Sequence, residues 1–302
     1  MPDFTVALGK LKLASPVLVA SGTFGYAREY KSLVPLRKIG AIVTKTVTLK
    51  AQRGNPPPRI AETYQGMLNA IGLQNPGLEA FIREEIPALE KIGIPVIVSI
   101  AAETPAQFAQ IARRLSKLKA VSAIELNISC PNLNKRSLIG QDARATYRVV
   151  KAVKKATRLP VITKLSPNVT DISEIAKAAQ GGGSDILSLV NTFFGLALDV
   201  ETRKPKLGNV TGGLSGPAIK PQALYMVREV FQATKMPIIG MGGIMNTQDA
   251  LEFIICGASA VAIGTATFIN PRVSIEIIKG IKKYLQENKI GSVKKLIGRL
   301  KR

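Results

Sequence analysis

Short apolar runs recur along the chain, with amphipathic stretches between them. In order they are PVLVAS (16–21), AIVTKTV (41–47), PVIVSIA (95–101), AIELNIS (123–129), PVITKLS (160–166), ILSLVNT (186–192), PIIGMGG (237–243) and AVAIGTA (260–266). Most are apolar at successive positions rather than alternate ones, the pattern of strands buried on both faces in a parallel sheet. The stretches between them have helical spacing. TPAQFAQIARRLSKL predicts a helix with Thr104 as N-cap and Pro105 in its first turn, and DARATYRVVKAVKKATR predicts one that opens on Asp142. Eight such units in 302 residues predict an α/β protein, a closed (β/α)8 TIM barrel forming a single domain over residues 1–302. Two connections exceed an ordinary turn: residues 48–77 after the second run and 193–216 after the sixth. Loops of that length are usually lids or binding loops, expected here on the C-terminal face where barrels keep their active sites.

Polar residues or glycines stand at the carboxyl end of every run: Ser21, Lys45 with Thr46, Ser99, Asn127, Lys164, Asn191 with Thr192, Gly242 with Gly243, and Gly264 with Thr265. A single serine or threonine there needs no explanation beyond the chain reaching solvent. The lysines and asparagines set in apolar surroundings do, because a desolvated ammonium is costly without an anionic partner. GMGGI and IGTA, after the seventh and eighth runs, let backbone amides approach a phosphate closely, at the place where many barrels bind one.

Composition narrows the chemistry. The chain has no histidine, so acid/base work near neutral pH falls to another side chain. Of its two cysteines, Cys130 follows the fourth run and precedes Pro131, a loop position above the barrel mouth. Cys256, in LEFIICGASAV, ends an apolar helix and is expected as a small core residue. A formal charge of +22 is compatible with nucleic acid, an anionic metabolite or an acidic partner. The basic residues are spread along amphipathic segments with few aromatics between them, which favours a solvated basic surface over nucleic-acid binding. No apolar run approaches the ~20 residues of a membrane span, and the N-terminus does not have the form of a signal peptide, so a cytoplasmic protein with reduced thiols is expected.

SPVLVASGTFGY, GNPPPRIAETYQGMLNAIGLQNPG (54–77), ELNISCPN (125–132), KLSPNVTDI (164–172), ETRKPKLGNVTGGLSGPAIKP (201–221), MGGI, GASAV and IGTATFINP together resemble the class 1 dihydroorotate dehydrogenases, FMN-containing barrel enzymes of pyrimidine synthesis. GMLNAIGLQNPG with GGLSGPAIKP is similar to the 1B subgroup. There a catalytic FMN subunit pairs with a second subunit carrying FAD and a 2Fe–2S cluster, and NAD+ is the final acceptor. The resemblance implies one FMN on this chain, FAD and 2Fe–2S only on a partner, and a homodimer at the core of a heterotetramer. No metal site is expected. Cys130 is implied as the base that removes the C5 proton of dihydroorotate while hydride passes from C6 to the flavin N5. Lys45 is implied to touch both flavin and substrate. Asn69, the backbone of Ala70, Ile71, Gly72 and Leu73, and Asn127, Asn191 and Thr192 are implied to hold the pyrimidine, whose ring groups an asparagine amide can meet as donor and acceptor. Lys164 would stabilise negative charge on the reduced isoalloxazine. Ser21, Thr46, Ser99, Asn127, Val190, Gly216, Gly242, Gly243, Gly264 and Thr265 would complete the FMN site. Ser99 stands where the family usually has asparagine, which shortens its reach.

Other readings are a dihydropyrimidine dehydrogenase-like flavoenzyme, a tRNA dihydrouridine synthase, or a non-catalytic basic barrel. In the synthase signature a glycine occupies the place of Ser129 here. The intact Cys130, Lys45 and Lys164 weigh against a non-catalytic barrel. The chain has no strand followed by a full G-x-G-x-x-G fingerprint with an acid downstream, so a nicotinamide site is expected on a partner.

Overall fold

The computed structural model describes residues 2–129 and 138–301. Eight parallel strands close into a barrel: β1 (Val17–Val19), β2 (Ile42–Val43), β3 (Val96–Ile100), β4 (Val121–Asn127), β5 (Val161–Lys164), β6 (Ile186–Leu189), β7 (Ile238–Gly240) and β8 (Ala260–Ile263). Each hydrogen-bonds to its sequence neighbours, and β8 closes on β1 with Val261 opposite Val17 and Ile263 opposite Val19. Every expected apolar run supplies one strand; β4 begins two residues earlier than its run, at Val121. β1, β3 and β5 to β8 are buried at every position, as strands sandwiched between barrel interior and helices must be.

The helices start where their capping residues put them. Thr104 Oγ1 accepts from the Gln107 amide at 3.2 Å to open the helix Pro105–Leu115, and Asp142 Oδ1 accepts from the Ala145 amide at 2.8 Å to open Ala143–Ala156. Phe108, Ile111 and Leu115 on the first, and Val149, Val150 and Val153 on the second, are buried in the common core. Among the described residues no helix is long and apolar enough to cross a membrane.

Two features lie beyond the expected units. An antiparallel hairpin, Val6–Leu8 with Leu11–Leu13, precedes β1 and turns at Gly9, whose φ is +58. Its strands are too short for alternation to stand out in sequence. The long connections after β2 and β6 form regular structure together: Phe193–Leu196, Thr211–Ser215, Gly66–Asn69 and Ile60–Thr63 make one four-stranded antiparallel sheet in that order. Leu68, Ala70 and Leu207 form a small buried cluster of their own beneath it, while Phe194 and Leu196 are exposed.

Candidate active site at the barrel mouth

The polar positions stand at the last residues of the strands or one to three residues beyond them, and all but Ser99 border the space between the barrel and the four-stranded sheet. This space is a cavity of about 710 Å³. Ser21, Lys45, Thr46, Asn127, Lys164, Val190, Asn191 and Thr192 line it from the barrel, and Gly216, Gly242, Gly243, Gly264 and Thr265 from the side of β7 and β8. Asn69, Ala70, Ile71, Gly72 and Leu73 line it from the loop after β2. Ser99 is fully buried and does not reach the cavity; it sits behind Thr46, with the two hydroxyl oxygens 3.0 Å apart. Cys130 lies outside the described residues. Cys256 ends the helix Thr247–Cys256, half-buried against the core, and burial pushes its thiol pKa up.

The strand ends are tied to one another. Thr46 Oγ1 accepts from Asn127 Nδ2 at 3.2 Å and lies 3.3 Å from Ser21 Oγ, which donates to the Thr44 carbonyl at 2.7 Å. Asn191 Nδ2 reaches Asn127 Oδ1 at 3.5 Å. Residues from β1, β2, β3, β4 and β6 thus share one polar network, which limits the rotamers each can adopt.

Both lysines present a cation to the cavity. Lys164 is only 6% exposed, and among the described residues its ammonium has neither an ion-pair nor a hydrogen-bond partner. Lys45 is partly buried; desolvation lowers its pKa, nearby Arg59 adds to the effect and Glu29 opposes it. Lys220, by contrast, is engaged with Asp249 Oδ1 at 2.6 Å and Glu252 Oε2 at 2.9 Å, contacts that raise its pKa. The glycines divide by role. Gly243 has φ +77 and a Cβ there would stand 2.9 Å from the Gly216 carbonyl, so the fold itself requires glycine. At Gly264 an added Cβ would meet nothing closer than Ala20 at 3.7 Å, leaving its backbone open on the cavity side.

Residues that strand-end reasoning missed support the loop after β2. Buried Asn75 staples its two ends: Oδ1 accepts from the Thr48 and Gly77 amides at 3.2 and 2.9 Å, and Nδ2 donates to Thr48 Oγ1 at 2.8 Å. Arg59 donates to the Asn55 carbonyl at 2.5 Å and to Gln74 Oε1 at 2.8 Å, and Asn55 Nδ2 to the Ala70 carbonyl at 3.1 Å. These are side chains satisfying backbone groups of an irregular segment. The only trace in sequence is the density of Asn, Pro and Gly in GNPPPR and LQNPG.

An anionic cofactor fits this donor set: a buried cation without a counter-charge among the described residues, a second desolvated lysine, and backbone open at Gly264 beside Thr265. The fold and the site define a (β/α)8 barrel with a lysine- and asparagine-lined cavity at the C-terminal mouth of its strands. The chain belongs to the dihydroorotate dehydrogenase family, a family of flavoenzymes: the model for "Dihydroorotate dehydrogenase" matches residues 4–285. Relatives named "Dihydroorotate dehydrogenase B (NAD(+)), catalytic subunit" are similar throughout. The protein of Desulforamulus reducens is 52% identical over 297 residues, covering 98% of each chain. That of Pelobacter propionicus is 52% identical over 300 residues, 99% of each chain, and that of Geotalea uraniireducens 51% identical over 300 residues, 99% of this chain and 98% of its own.

Proposed function

We propose that the chain is the FMN-binding catalytic subunit of a two-subunit dihydroorotate dehydrogenase, oxidising (S)-dihydroorotate to orotate in UMP synthesis and passing electrons through its partner to NAD+. The observation that carries this reading is the pairing of two cavity-facing lysines with three asparagines, Asn69, Asn127 and Asn191, around one cavity. The lysines suit a carboxylate and a flavin, and the asparagines suit the alternating donors and acceptors of a pyrimidine. FMN, when bound, supplies the hydride acceptor.

Each group of residues then has a task. Lys164 holds negative charge near the flavin ring, and Gly216, Gly242, Gly243, Gly264 and Thr265 hold the phosphate end, with Ser21, Thr46 and Val190 along the ring; Ser99 acts on it only through Thr46. Lys45 binds the substrate carboxylate as well as the flavin. Asn69, the backbone from Ala70 to Leu73, Asn127, Asn191 and Thr192 fix the pyrimidine, and Cys130 is the base that takes its C5 proton. The exposed apolar side of the four-stranded sheet, with Phe194 and Leu196, suits a second copy of the chain. The charge of +22 suits an FAD and 2Fe–2S subunit with an acidic face, in the cytoplasm.

The test is anaerobic mixing of the flavin-loaded protein with dihydroorotate or dihydrouracil. Dihydroorotate alone is expected to bleach the flavin band, and Cys130→Ala is expected to retain flavin and orotate yet lose bleaching. Bleaching by dihydrouracil alone would overturn the substrate assignment, and bleaching of Cys130→Ala at the unaltered rate would overturn the role of the thiol.

A further inference from the structure

The turn that carries Asn191 and Thr192 is gripped from the neighbouring turn after β5 by a residue that strand-end reasoning passes over and that also lines the cavity. Asn168, four positions beyond Lys164 in KLSPNVTDI, donates from Nδ2 to the Thr192 carbonyl at 3.0 Å and accepts at Oδ1 from the Phe194 amide at 2.9 Å. A carbonyl only accepts and an N–H only donates, so these two partners fix which way the amide points. Its contacts fall on either side of Phe193, where the connection leaving β6 becomes the first strand of the four-stranded sheet. Within the turn, the Thr192 amide donates to Asn191 Oδ1 at 2.9 Å, which commits that oxygen and leaves Asn191 Nδ2 directed toward Asn127.

Asn168 is itself anchored. Its amide donates to the Oγ of buried Ser166 at 3.2 Å, and its carbonyl accepts from Gln141 Nε2 at 2.8 Å. Gln141 Oε1 in turn accepts from the Leu138 amide at 3.2 Å. A continuous run of hydrogen bonds therefore joins the segment Leu138–Gln141, the turn after β5, and the turn after β6.

We propose that Asn168 is a positioning residue for the pyrimidine: it sets the pose of Asn191 and Thr192, and Gln141 steadies it from the surface. This rests on the assignment of Asn191 and Thr192 to substrate. Two hydrogen bonds to one turn are lost in Asn168→Ala, so orotate affinity is expected to fall about tenfold. Asn168→Asp keeps the acceptor for Phe194 but sets a carboxylate oxygen against the Thr192 carbonyl, so it is expected to bind orotate no better than Asn168→Ala. Gln141→Ala, at an exposed position, is expected to lose about twofold to threefold.

The experiment is calorimetric titration of FMN-loaded wild-type and variant proteins with orotate, alongside flavin content and steady-state KM and kcat. The expected result is a rise in orotate Kd and in KM with flavin content unchanged and kcat altered less. A purely structural role would instead lower flavin content and thermal midpoint together with both kinetic constants. Unchanged orotate affinity in flavin-replete Asn168→Ala overturns the proposal; if that variant does not fold, unchanged affinity in both Asn168→Asp and Gln141→Ala overturns it. Failure of the wild-type protein to bind orotate would instead strike the functional reading, so the two failures are distinct.

Discussion

Strand β6 is buried at every position from Ile186 to Leu189, whereas the strand Phe193–Leu196, beginning four residues later, alternates between half-buried and exposed. The first is held by parallel neighbours on both sides and by helices outside; the second belongs to a sheet whose private core is Leu68, Ala70 and Leu207. The barrel thus draws its stability from burial, and the sheet is fixed by a few specific contacts to the strand ends. Asn168 to Thr192 and Phe194 is one, while Asn69 Nδ2 to the Gly213 carbonyl at 3.2 Å ties two of the sheet's own strands. Binding elements are commonly drawn from the less stable parts of a fold, and here that division runs through one connection of the chain.

The sharpest way to break this comparison is to remove apolar volume from each part. Leu187 is fully buried in β6, opposite Ile238 and Thr163. Leu187→Ala is expected to destabilise by about 2–5 kcal/mol, through lost transfer free energy and the cavity left behind. Leu196→Ser, on the exposed side of the sheet, is expected to stay within about 0.5 kcal/mol in the isolated chain. Denaturant unfolding checks both, and comparable losses would mean that sheet and barrel are equally load-sharing.

The same division explains what the sequence makes legible. Strands buried on both faces announce themselves as apolar runs, and their polar ends mark the cavity, so the barrel and most of the candidate site can be read from one dimension. The sheet cannot. IAET and GMLN are four-residue strands with weak alternation, and Gly213 pairs with Asn69 across 144 positions. Asn75, Arg59 and Asn168 work by capping backbone groups, which leaves no periodic trace. Ser99 shows the opposite error: it stands at a strand end, as the cavity residues do, but its side chain meets Thr46 within the core instead of the open space.

A second prediction separates the barrel's contribution to binding from the sheet's. Lys45 projects from the end of β2, and its charge is what the substrate carboxylate would recognise. Lys45→Met is expected to cost orotate about 1.5–3 kcal/mol of binding, with little effect on a neutral analogue lacking the carboxylate. The pH dependence has a definite sign. Burial lowers the Lys45 pKa from 10.5, and only the protonated form attracts the anion. Orotate affinity therefore falls as pH rises through that lowered value, before an ordinary lysine would titrate. Lys45→Met should lack this alkaline limb, which orotate titrations across the range would reveal; an unchanged limb in the variant assigns it to another group.

The smallest effect tests whether the sheet reaches the site directly. Gly213 lies in the strand Thr211–Ser215, opposite Phe194 on one side and Asn69 on the other. A Cβ built there would stand 2.0 Å from Thr192 Oγ1 and 2.7 Å from Thr192 Cβ. Thr192 has little room to yield, since a β-branched side chain is stiff at χ1 and its carbonyl is held by Asn168. In Gly213→Ala either Thr192 turns away or the strand retreats, and retreat would carry the Asn69 contact with it. Neither response touches the barrel core. Orotate affinity is expected to fall about fivefold, the equivalent of roughly 1 kcal/mol, while the thermal midpoint moves far less than in Leu187→Ala. The chain also loses some unfolded-state entropy when glycine becomes alanine, which offsets part of any loosening of the sheet. Calorimetry with orotate and thermal unfolding on the same samples decide the matter. Intact orotate affinity together with a midpoint drop as large as that of Leu187→Ala would show that Gly213 serves the common fold, and the separation between a burial-held barrel and a contact-held sheet would fail at the position where it is most exposed to test.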